Sequence, residues 1–506
     1  MSPDQSQPDT GGRIDTVMSR RRLLQAAGVG VGVVVLGGAG FGTFKWTSSS
    51  SPKGPTFLSR PDLIPPTITT LVPAAGTAQG LIFLSPSQGP SQYGPMIVDN
   101  KGEVVWFHPL KPSVGVATNV QVNQYQGQPV MSWWEGPIII PGGYGKGEYV
   151  MIDSSYTEIM RVQAGNGLSG DLHEFQITPE GTALLTAYET VSADLSSIGG
   201  SKNGTLLNSH FQEIDIASGS VLFDWDARQH ISLSESYLPA SSAVANNGLY
   251  DFFHINSVQR DVDGNYIISG RHTWTVYKIA RATGEVMWRL NGKLSDFAMG
   301  QHSQFAFQHD ARLHGSSTMT VFDDGGGPPN VSSHSRGLEL SLDFKNMSAR
   351  LVREFLPSPE FLATSQGSVQ VLPNGNVFVG WGAEPYWSEY SRDGRMLFNA
   401  QFEPGGVSYR AYRFEWVGKP ADVPAIRSKR KDRGTVDLYV SWNGSTEVQT
   451  WNLLAGSSPS GLVKAATSDR DGFETKFTLS TNQSHFAASA LDGNGNLLAT
   501  SPVVKA

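Results

Sequence analysis

The sequence contains no cysteine among its 506 residues. That absence excludes disulfide bonds, catalysis by a cysteine thiolate and zinc sites with cysteine ligands. Charged residues are also scarce, at 16% of the chain, and the formal net charge is -7. A negative balance disfavours nucleic acid as a partner, because binding to the phosphate backbone depends on clustered lysine and arginine.

Helical periodicity is scarce as well. Apolar residues rarely recur at the three- and four-residue spacing of an amphipathic helix, and short alternating runs separated by turn sequences take their place. Glycine accounts for 56 residues. This pattern predicts an all-β protein with many tight turns. The length allows one large domain and one small domain.

The N-terminal segment, residues 1–46, has the features of an export signal. Three arginines at positions 20–22 precede two leucines and a run rich in glycine, alanine and valine over about residues 26–42. This order resembles the bacterial twin-arginine signal and predicts the twin-arginine export machinery as a partner. The apolar run is about 17 residues long, the short limit for crossing a bilayer, so an uncleaved membrane anchor stays an alternative. We expect a linker at 47–66.

A repeated pattern begins near Thr67. Each unit has a polar opening, a strand, a turn such as Asp-Gly or Asn-Gly, and further strands that end on an aromatic residue. Six units fill residues 67–424, and repeats of four short strands predict a six-bladed β-propeller. Two stacked sandwiches are the alternative. Residues 432–506 show the short alternating strands typical of a small β-sandwich of fibronectin or immunoglobulin type.

Polar residues open several of these units. His173, His254, His309 and Gln366 stand at equivalent positions in successive units. In a propeller the first strands of the blades surround a central channel, so residues that are distant in sequence meet at one mouth. We therefore predict a site there, with His254 and His309 as catalytic residues. A single histidine beside a strand is often only a hydrogen-bonded core residue, and this alternative stays open for His173.

Further side chains complete the predicted site. Arg336 follows a glycine-rich loop, and its guanidinium can bind an anionic group through parallel hydrogen bonds. A surface arginine at the start of a strand is the alternative. We predict no metal site, because His302, His309 and His314 are loosely spaced and no carboxylate pattern completes them. The residues expected to bind substrate are His173, Asn256, Gln308, Gln366 and Trp381.

Four motifs in order resemble the arylsulfotransferase family, the bacterial type that uses no nucleotide donor. They are DFFHINSV, FQHDARL followed by TVFDDGG, SRGLELSLD and SVQVLPNGNVFVGWG. The resemblance implies a six-bladed propeller that transfers a sulfuryl group from one phenol to another through a histidine, without a cofactor. By motif, His254 matches the first histidine, His309 the second, and Arg336 the arginine that neutralises the sulfuryl oxygens.

The sequence departs from the family pattern at one opening. The nucleophilic histidine of the family follows the arginine, whereas the aligned opening after Arg336 carries Gln366. Glutamine cannot form a sulfo-histidine, so either His309 or His254 is the nucleophile, or the activity has changed. We expect an exported protein, at the cell surface, outside the cell or in the periplasm, that acts on a small aromatic substrate. The second hypothesis is a non-catalytic cell-surface propeller that binds an aromatic anion or a glycan.

Overall fold

The computed structural model describes residues 52–140, 142–327, 329–432 and 434–506. The predicted all-β class is confirmed, and the helices in these ranges are single turns. Within the same ranges no helix is long and apolar enough to cross a membrane. The predicted export signal lies outside the described residues. The helical turns are α1 (Ala227–His230), α2 (Ser242–Ala245) and two 3-10 turns, Ser196–Ile198 and Leu233–Glu235.

The strands before residue 253 are β1 (Ile68–Val72), β2 (Leu81–Leu84), β3 (Met96–Val98), β4 (Val104–Phe107), β5 (Val116–Tyr125), β6 (Gln128–Gly136), β7 (Ile138–Ile139), β8 (Tyr144–Gly145), β9 (Glu148–Ile152), β10 (Glu158–Val162), β11 (Gly170–Ile177), β12 (Thr182–Ala193), β13 (Gly204–Asp215), β14 (Val221–Asp226) and β15 (Leu249–Asp251).

The strands from residue 255 to residue 414 are β16 (Ile255–Arg260), β17 (Tyr266–Gly270), β18 (Thr275–Ile279), β19 (Val286–Leu290), β20 (Ala298–Met299), β21 (His309–His314), β22 (Thr318–Asp323), β23 (Arg336–Asp343), β24 (Ser348–Phe355), β25 (Ser368–Val371), β26 (Val377–Gly380), β27 (Tyr386–Tyr390), β28 (Met396–Phe402) and β29 (Tyr412–Phe414).

These strands form sheets of four or five members. Three of the sheets follow chain order from a first strand outward, as hairpin turns dictate, and two more do so for four strands before an outermost strand from earlier in the chain, β20 or β1. The sheet orders are β29-β2-β3-β4, β5-β6-β9-β10, β11-β12-β13-β14, β16-β17-β18-β19, β21-β22-β23-β24-β20 and β25-β26-β27-β28-β1. In addition, β15 pairs in parallel with β13, and β7 pairs with β8.

The sheet that begins with β16 shows why these units need neighbours. Both faces of β17 are buried, so apolar residues point alternately into two cores. Tyr266 and Ile268 pack into the cluster shared with the preceding sheet, while Ile267 and Val276 pack against Leu338 of the following sheet. A lone four-stranded sheet would leave both of these faces in water.

The first strands of the six sheets contact one another in a closed cycle. β5 contacts β11, β11 contacts β16, β16 contacts β21, β21 contacts β25, β25 contacts β29, and β29 contacts β5. Strand pairing joins the beginning and the end of the part of the chain that forms these six sheets. β1 pairs with β28 at the edge of one sheet, and β29 pairs with β2 as the first strand of another. The first strands of the six sheets are therefore neighbours in space, although they are distant in sequence.

Two further sheets follow, with a shared apolar core. Their strands are β30 (Ala425–Arg430), β31 (Thr435–Ser441), β32 (Thr450–Gly456), β33 (Val463–Asp469), β34 (Glu474–Ser480), β35 (His485–Leu491), β36 (Leu497–Thr500) and β37 (Val504–Lys505). The sheet orders are β30-β31-β34 and β33-β32-β35-β36, with β37 beside β35. Asn443 ties them to the sheet of β4, because its side chain accepts from the backbone N–H of Phe107 and donates to the same residue's carbonyl, both at 3.0 Å.

Candidate active site

The backbone is unusual where the first strands begin. Four non-glycine residues there have positive φ angles, namely Asn119 at 58°, His254 at 57°, Asp310 at 50° and Gln366 at 71°. Left-handed conformations are unfavourable for residues with a Cβ and concentrate at functional sites, where the surrounding structure maintains them. The pairing of the first two strands is also irregular near three of these residues. Such irregularities change the direction in which the side chains of a strand point, and they occur often beside active sites.

Three histidines on adjacent sheets are each oriented by an aspartate. Nδ1 of His173 lies 2.6 Å from Oδ2 of Asp171. His254 makes the same contact with Asp251 at 2.5 Å, and His309 with Asp324 at 2.7 Å. Each pair uses Nδ1, so Nε2 is the nitrogen left for chemistry. All six side chains are buried.

The imidazoles form one group. The ring centroids of His173 and His254 are 4.9 Å apart, and the ring of Tyr409 lies 5.6 Å from His173 and 6.3 Å from His309. A fourth imidazole, His272, lies 4.9 Å from His254. Residues that are distant in sequence thus surround a single buried point.

A buried guanidinium adjoins this group. Nη1 of Arg271 donates to Nε2 of His272 at 2.8 Å, and Nη2 donates to the carbonyl of Thr364 at 2.8 Å. The guanidinium also lies 5.0 Å from the ring centroid of Phe307. Arg271 is 7% exposed, so its charge acts in a low-dielectric environment, where it interacts strongly with anions.

Burial and nearby charge keep His254 and His309 neutral. Burial lowers the pKa of His309 well below its usual range, and the positive charge of Arg271 lowers it further. Burial also lowers the pKa of His254 to about 4, against the opposing effect of Asp251. Burial raises the pKa of Asp324, and Arg271 opposes that rise. Neutral imidazoles retain the lone pair that a nucleophile or base requires.

A network of buried charges lies beneath the imidazoles. Nη1 of Arg410 lies 3.1 Å from Oε1 of Glu174 and 3.2 Å from Oδ1 of Asn119, and Nη2 donates to the carbonyl of Asn256 at 2.8 Å. Glu174 also accepts from Arg312 at 2.5 Å. These bonds join first strands of several sheets, so the network holds the start of each strand in place.

Two predicted site residues lie outside the imidazole group. Arg336 pairs with Asp323 at 2.9 Å and with Glu354 at 3.0 Å, and it donates to the carbonyl of Gln304. It begins β23, the third strand of its sheet, and none of its contacts with described residues is to an imidazole. Trp381 packs in an apolar cluster, and its indole N–H donates to Ser388 at 2.9 Å. Its 1% exposure leaves no surface for a substrate.

The other predicted residues lie at or beside the group. The side-chain amide of Asn256 donates to the carbonyl of Gln308 at 2.6 Å, and the amide of Gln308 donates to Ser269 at 2.9 Å. These bonds brace the backbone around the histidines. The backbone N–H of Gln366 donates to Nε2 of His309 at 3.2 Å. The contact of Gln366 with the site is therefore through its backbone.

One set of donors has the spacing of metal ligands. Nitrogen and oxygen atoms of Asp251, His254 and His272 lie within 4.8 Å of one another. The hydrogen bonds of His272 do not suit a metal, because Nδ1 contacts the carbonyl of Asp251 at 2.7 Å and Nε2 accepts from Arg271. An imidazole that binds a metal uses one nitrogen for the metal and donates the N–H of the other nitrogen to the protein. In His272 one nitrogen contacts the carbonyl of Asp251 and the other accepts from Arg271, so neither nitrogen is left for a metal.

The sequence matches the family model described as Arylsulfotransferase (ASST) over residues 121–403, more than half of the chain. The chain belongs to the arylsulfotransferase family. The matched range includes His173, His254, Arg271 and His309, and it ends before Tyr409. The arylsulfotransferase match and the imidazole group thus fall on the same part of the chain.

Comparison of this arylsulfotransferase-family chain with curated proteins finds none that matches. Among solved structures it is similar to a protein of unknown function from Bacteroides caccae, with 14% identity, coverage of 66% of this chain and 100% of the other, and a TM-score of 0.40. It is also similar to the periplasmic gluconolactonase of Pseudomonas aeruginosa, with 10% identity, coverage of 84% and 96%, and a TM-score of 0.34. Similarity at this level carries no argument about function.

Proposed function

We propose that this protein is an exported arylsulfotransferase that moves a sulfuryl group from a phenolic sulfate ester to a second phenol through a histidine. Family membership supports the reaction class. The observation that carries the mechanism is the position of Arg271, whose buried guanidinium adjoins the aspartate-oriented imidazoles. A sulfuryl group in transfer carries negative charge on three oxygens, and a preorganised cation stabilises that charge.

His309 is the nucleophile in this proposal. The family resemblance implies a nucleophilic histidine that follows the arginine in sequence. With Arg271 in place of Arg336 as that arginine, the imidazoles of the group that follow it are His272 and His309. Both ring nitrogens of His272 are already hydrogen-bonded, to Arg271 and to the carbonyl of Asp251, which leaves His309. The hydrogen bond from the backbone of Gln366 to Nε2 places the proton of a neutral His309 on Nδ1, where Asp324 accepts it. The glutamine at position 366 is then no obstacle to catalysis.

The first half-reaction forms a sulfo-histidine. Nε2 of His309 attacks the sulfur of the donor ester, the bond from sulfur to the phenolic oxygen breaks, and the electron pair stays on that oxygen. Arg271 neutralises part of the charge on the sulfuryl oxygens. An acidic phenol such as 4-nitrophenol leaves as the phenolate, because the resting His254 is neutral and carries no proton to transfer.

The second half-reaction returns the enzyme to its starting state. The hydroxyl of the acceptor phenol gives its proton to Nε2 of neutral His254 while its oxygen attacks the sulfur. The bond from sulfur to His309 breaks, and its electron pair returns to Nε2. His254, whose pKa is about 4, then releases this proton to water, where it neutralises the phenolate set free in the first half-reaction. Protons therefore balance, and His254 is neutral again.

The proposal includes a fold and a location. We infer a six-bladed β-propeller over residues 67–424 and a small β-sandwich over 432–506. Support for the propeller comes from the six sheets, the closed cycle of first-strand contacts and the pairing of β1 and β29 across the ends. Export by the twin-arginine route, with retention by an N-terminal anchor as the alternative, rests on the arginines at positions 20–22.

The test is turnover of 4-nitrophenyl sulfate with phenol as acceptor. We expect release of 4-nitrophenol and, with donor alone, a mass increase of one SO3 group on the peptide that carries His309. His309→Ala should abolish both signals. His314→Ala is the matched control, since the imidazole of His314 contacts Thr320 at 2.8 Å and lies outside the group. Folded protein that transfers no sulfuryl group from any aryl sulfate would refute the proposal and favour the binding hypothesis.

A further inference from the structure

Two hydroxyls near His309 are buried without a hydrogen-bond partner among the described residues. They are the phenol of Tyr409 and the side chain of Ser365. Tyr409 is only 3% exposed. A buried hydroxyl that makes no hydrogen bond destabilises the fold, so natural proteins rarely retain one without a role. Both hydroxyls can donate to a ligand that enters the site.

The backbone brings the segment that carries Ser365, and the ring of Tyr409, next to His309. Residues 364–367 run between the guanidinium and His309, since the carbonyl of Thr364 accepts from Arg271 and the N–H of Gln366 donates to His309. The next N–H, that of Gly367, donates to the carbonyl of Tyr409 at 3.0 Å. Ser365 therefore lies between two residues that contact the site.

Contacts with Gly382 and Ala383 fix the conformation of residues 364–367. Gln366 has a φ of 71°, and Gly367 has a φ of 106°. Gly382 packs directly against the segment: a Cβ there would come within 2.5 Å of the carbonyl oxygen of Ser365. That carbonyl also accepts from the N–H of Ala383 at 3.0 Å. The left-handed turn at Gln366 is thus fixed, and it aims one N–H at His309.

We propose that the hydroxyls of Ser365 and Tyr409 and the backbone N–H of Gln366 bind the oxygens of the transferring sulfuryl group. This inference rests on the proposed function and names the substrate-contacting donors of that same site. When Nε2 of His309 bonds to sulfur, the N–H of Gln366 loses its acceptor on the ring and donates to a sulfuryl oxygen instead. The two hydroxyls donate to the remaining oxygens, opposite the charge of Arg271.

The three donors do not change the electron balance of the transfer. The electron pair of the breaking bond between sulfur and oxygen still departs with the phenol, and the donors keep their protons. Their contribution is to bind a group whose oxygens shift as sulfur moves from oxygen to nitrogen. Donors fixed before the reaction stabilise that charge without reorganising.

The substitutions Tyr409→Phe and Ser365→Ala remove one hydroxyl each from the full-length protein. Tyr390→Phe is the matched control, because Tyr390 is equally buried at 3% exposure but its hydroxyl donates to the carbonyl of Leu356 at 2.5 Å. Binding of phenylmethanesulfonate, whose carbon–sulfur bond cannot be transferred, is measured by calorimetry. Single-turnover release of 4-nitrophenol from 4-nitrophenyl sulfate is measured by absorbance.

We expect sulfonate binding to weaken about 10-fold in each site variant, and single-turnover transfer to slow roughly 100-fold, as when one donor to a transition-state oxyanion is removed. Tyr390→Phe should match the wild type in both assays. Site variants that bind and react like the wild type would overturn the inference and leave the proposed function intact. A wild type that binds the sulfonate through these hydroxyls but transfers nothing would uphold the donor site and overturn the function. No binding in any variant would overturn the inference.

Discussion

Arg271 lies directly across a hairpin from His254. The backbone N–H of Arg271 donates to the carbonyl of His254 at 3.1 Å, and this pairing continues the register of β16 and β17 beyond Ile255 and Gly270. One hairpin thus supplies both an imidazole and the guanidinium of the site. Arg336, the arginine chosen from the sequence, lies on a different sheet.

The two arginines give the sharpest test of this assignment. Arg271→Gln removes the cation beside the imidazoles, so we expect the kcat for 4-nitrophenyl sulfate to fall by roughly 100-fold or more. Arg336→Gln leaves Asp323 buried without its ion pair, which should lower the free energy of unfolding by about 3 kcal/mol while changing kcat less than about threefold.

Steady-state kinetics and urea unfolding of both variants check this prediction. A large loss of kcat in Arg336→Gln, with Arg271→Gln still active, would restore the arginine assignment made from sequence.

Much of the fold can be predicted from the sequence, because the residues that determine a hairpin are close together in the chain. The sequence Asp-Gly-Asn at 263–265 forms the turn between β16 and β17, with Gly264 at a φ of 83°, as such a tight turn requires. Alternating and continuous apolar runs then give the strands on either side. These signals predict the all-β class, and they depend on no contact between distant parts of the chain.

The candidate site can be predicted from the sequence only in part. His254 and His309 are found by their position at the start of a unit. Arg271 was missed because the segment Ser-Gly-Arg-His-Thr-Trp resembles an ordinary turn between strands. Counting outward from the turn at 263–265 in regular register places Arg271 opposite Ile255, and only the irregularity between Ile255 and Ser257 moves it opposite His254. The sequence therefore contains only an approximate signal. The positive φ of Gln366 carries no such signal, because tertiary contacts impose it.

The aspartate partner of His309 supports a second prediction. In Asp324→Asn the amide nitrogen can donate to Nδ1, which moves the ring proton to Nε2 and removes the nucleophilic lone pair. We expect kcat to fall by roughly 10⁴-fold, the loss seen when a carboxylate that orients a catalytic imidazole becomes an amide. Formation of the sulfo-histidine, followed by mass spectrometry, should fall in parallel.

Asp343→Asn serves as the control, because Asp343 is exposed and caps a turn at Lys345 and Asn346. Unchanged adduct formation in Asp324→Asn would exclude the assigned tautomer.

The low pKa of His254 makes stability depend on pH in a defined window. Its folded pKa of about 4 lies below the ordinary value of 6.5, so between these values the unfolded chain binds more protons than the native protein. Stability is therefore complete above pH 6.5 and falls as the pH drops toward 4, by about 2 kcal/mol between pH 7 and pH 5 from this residue.

Urea unfolding of the wild type and of His254→Gln at pH 7 and pH 5 measures the difference. The variant should lose less stability on acidification than the wild type. Asp251 does not interfere, because its pKa is lowered further below its ordinary value and it stays ionised in both states across this range. Equal pH dependence of the two proteins would show that His254 is not buried as a neutral imidazole.

The last prediction concerns the buried charges beneath the imidazoles. Arg410 is 1% exposed and lies beside Glu174 and 3.7 Å from Asp310, so Arg410→Met leaves two carboxylates close together without this cation. Removing one partner of a buried ion pair costs about 3–5 kcal/mol, because the remaining charge is desolvated. We expect a loss of that size in urea unfolding. The double variant Arg410→Met, Glu174→Gln should recover part of it, because it removes one of the two uncompensated charges. Glu174 also accepts a hydrogen bond from the guanidinium of Arg312 at 2.5 Å. A double variant less stable than Arg410→Met alone would mean that Glu174 acts mainly through Arg312. It would also mean that Arg410 does not hold the network together.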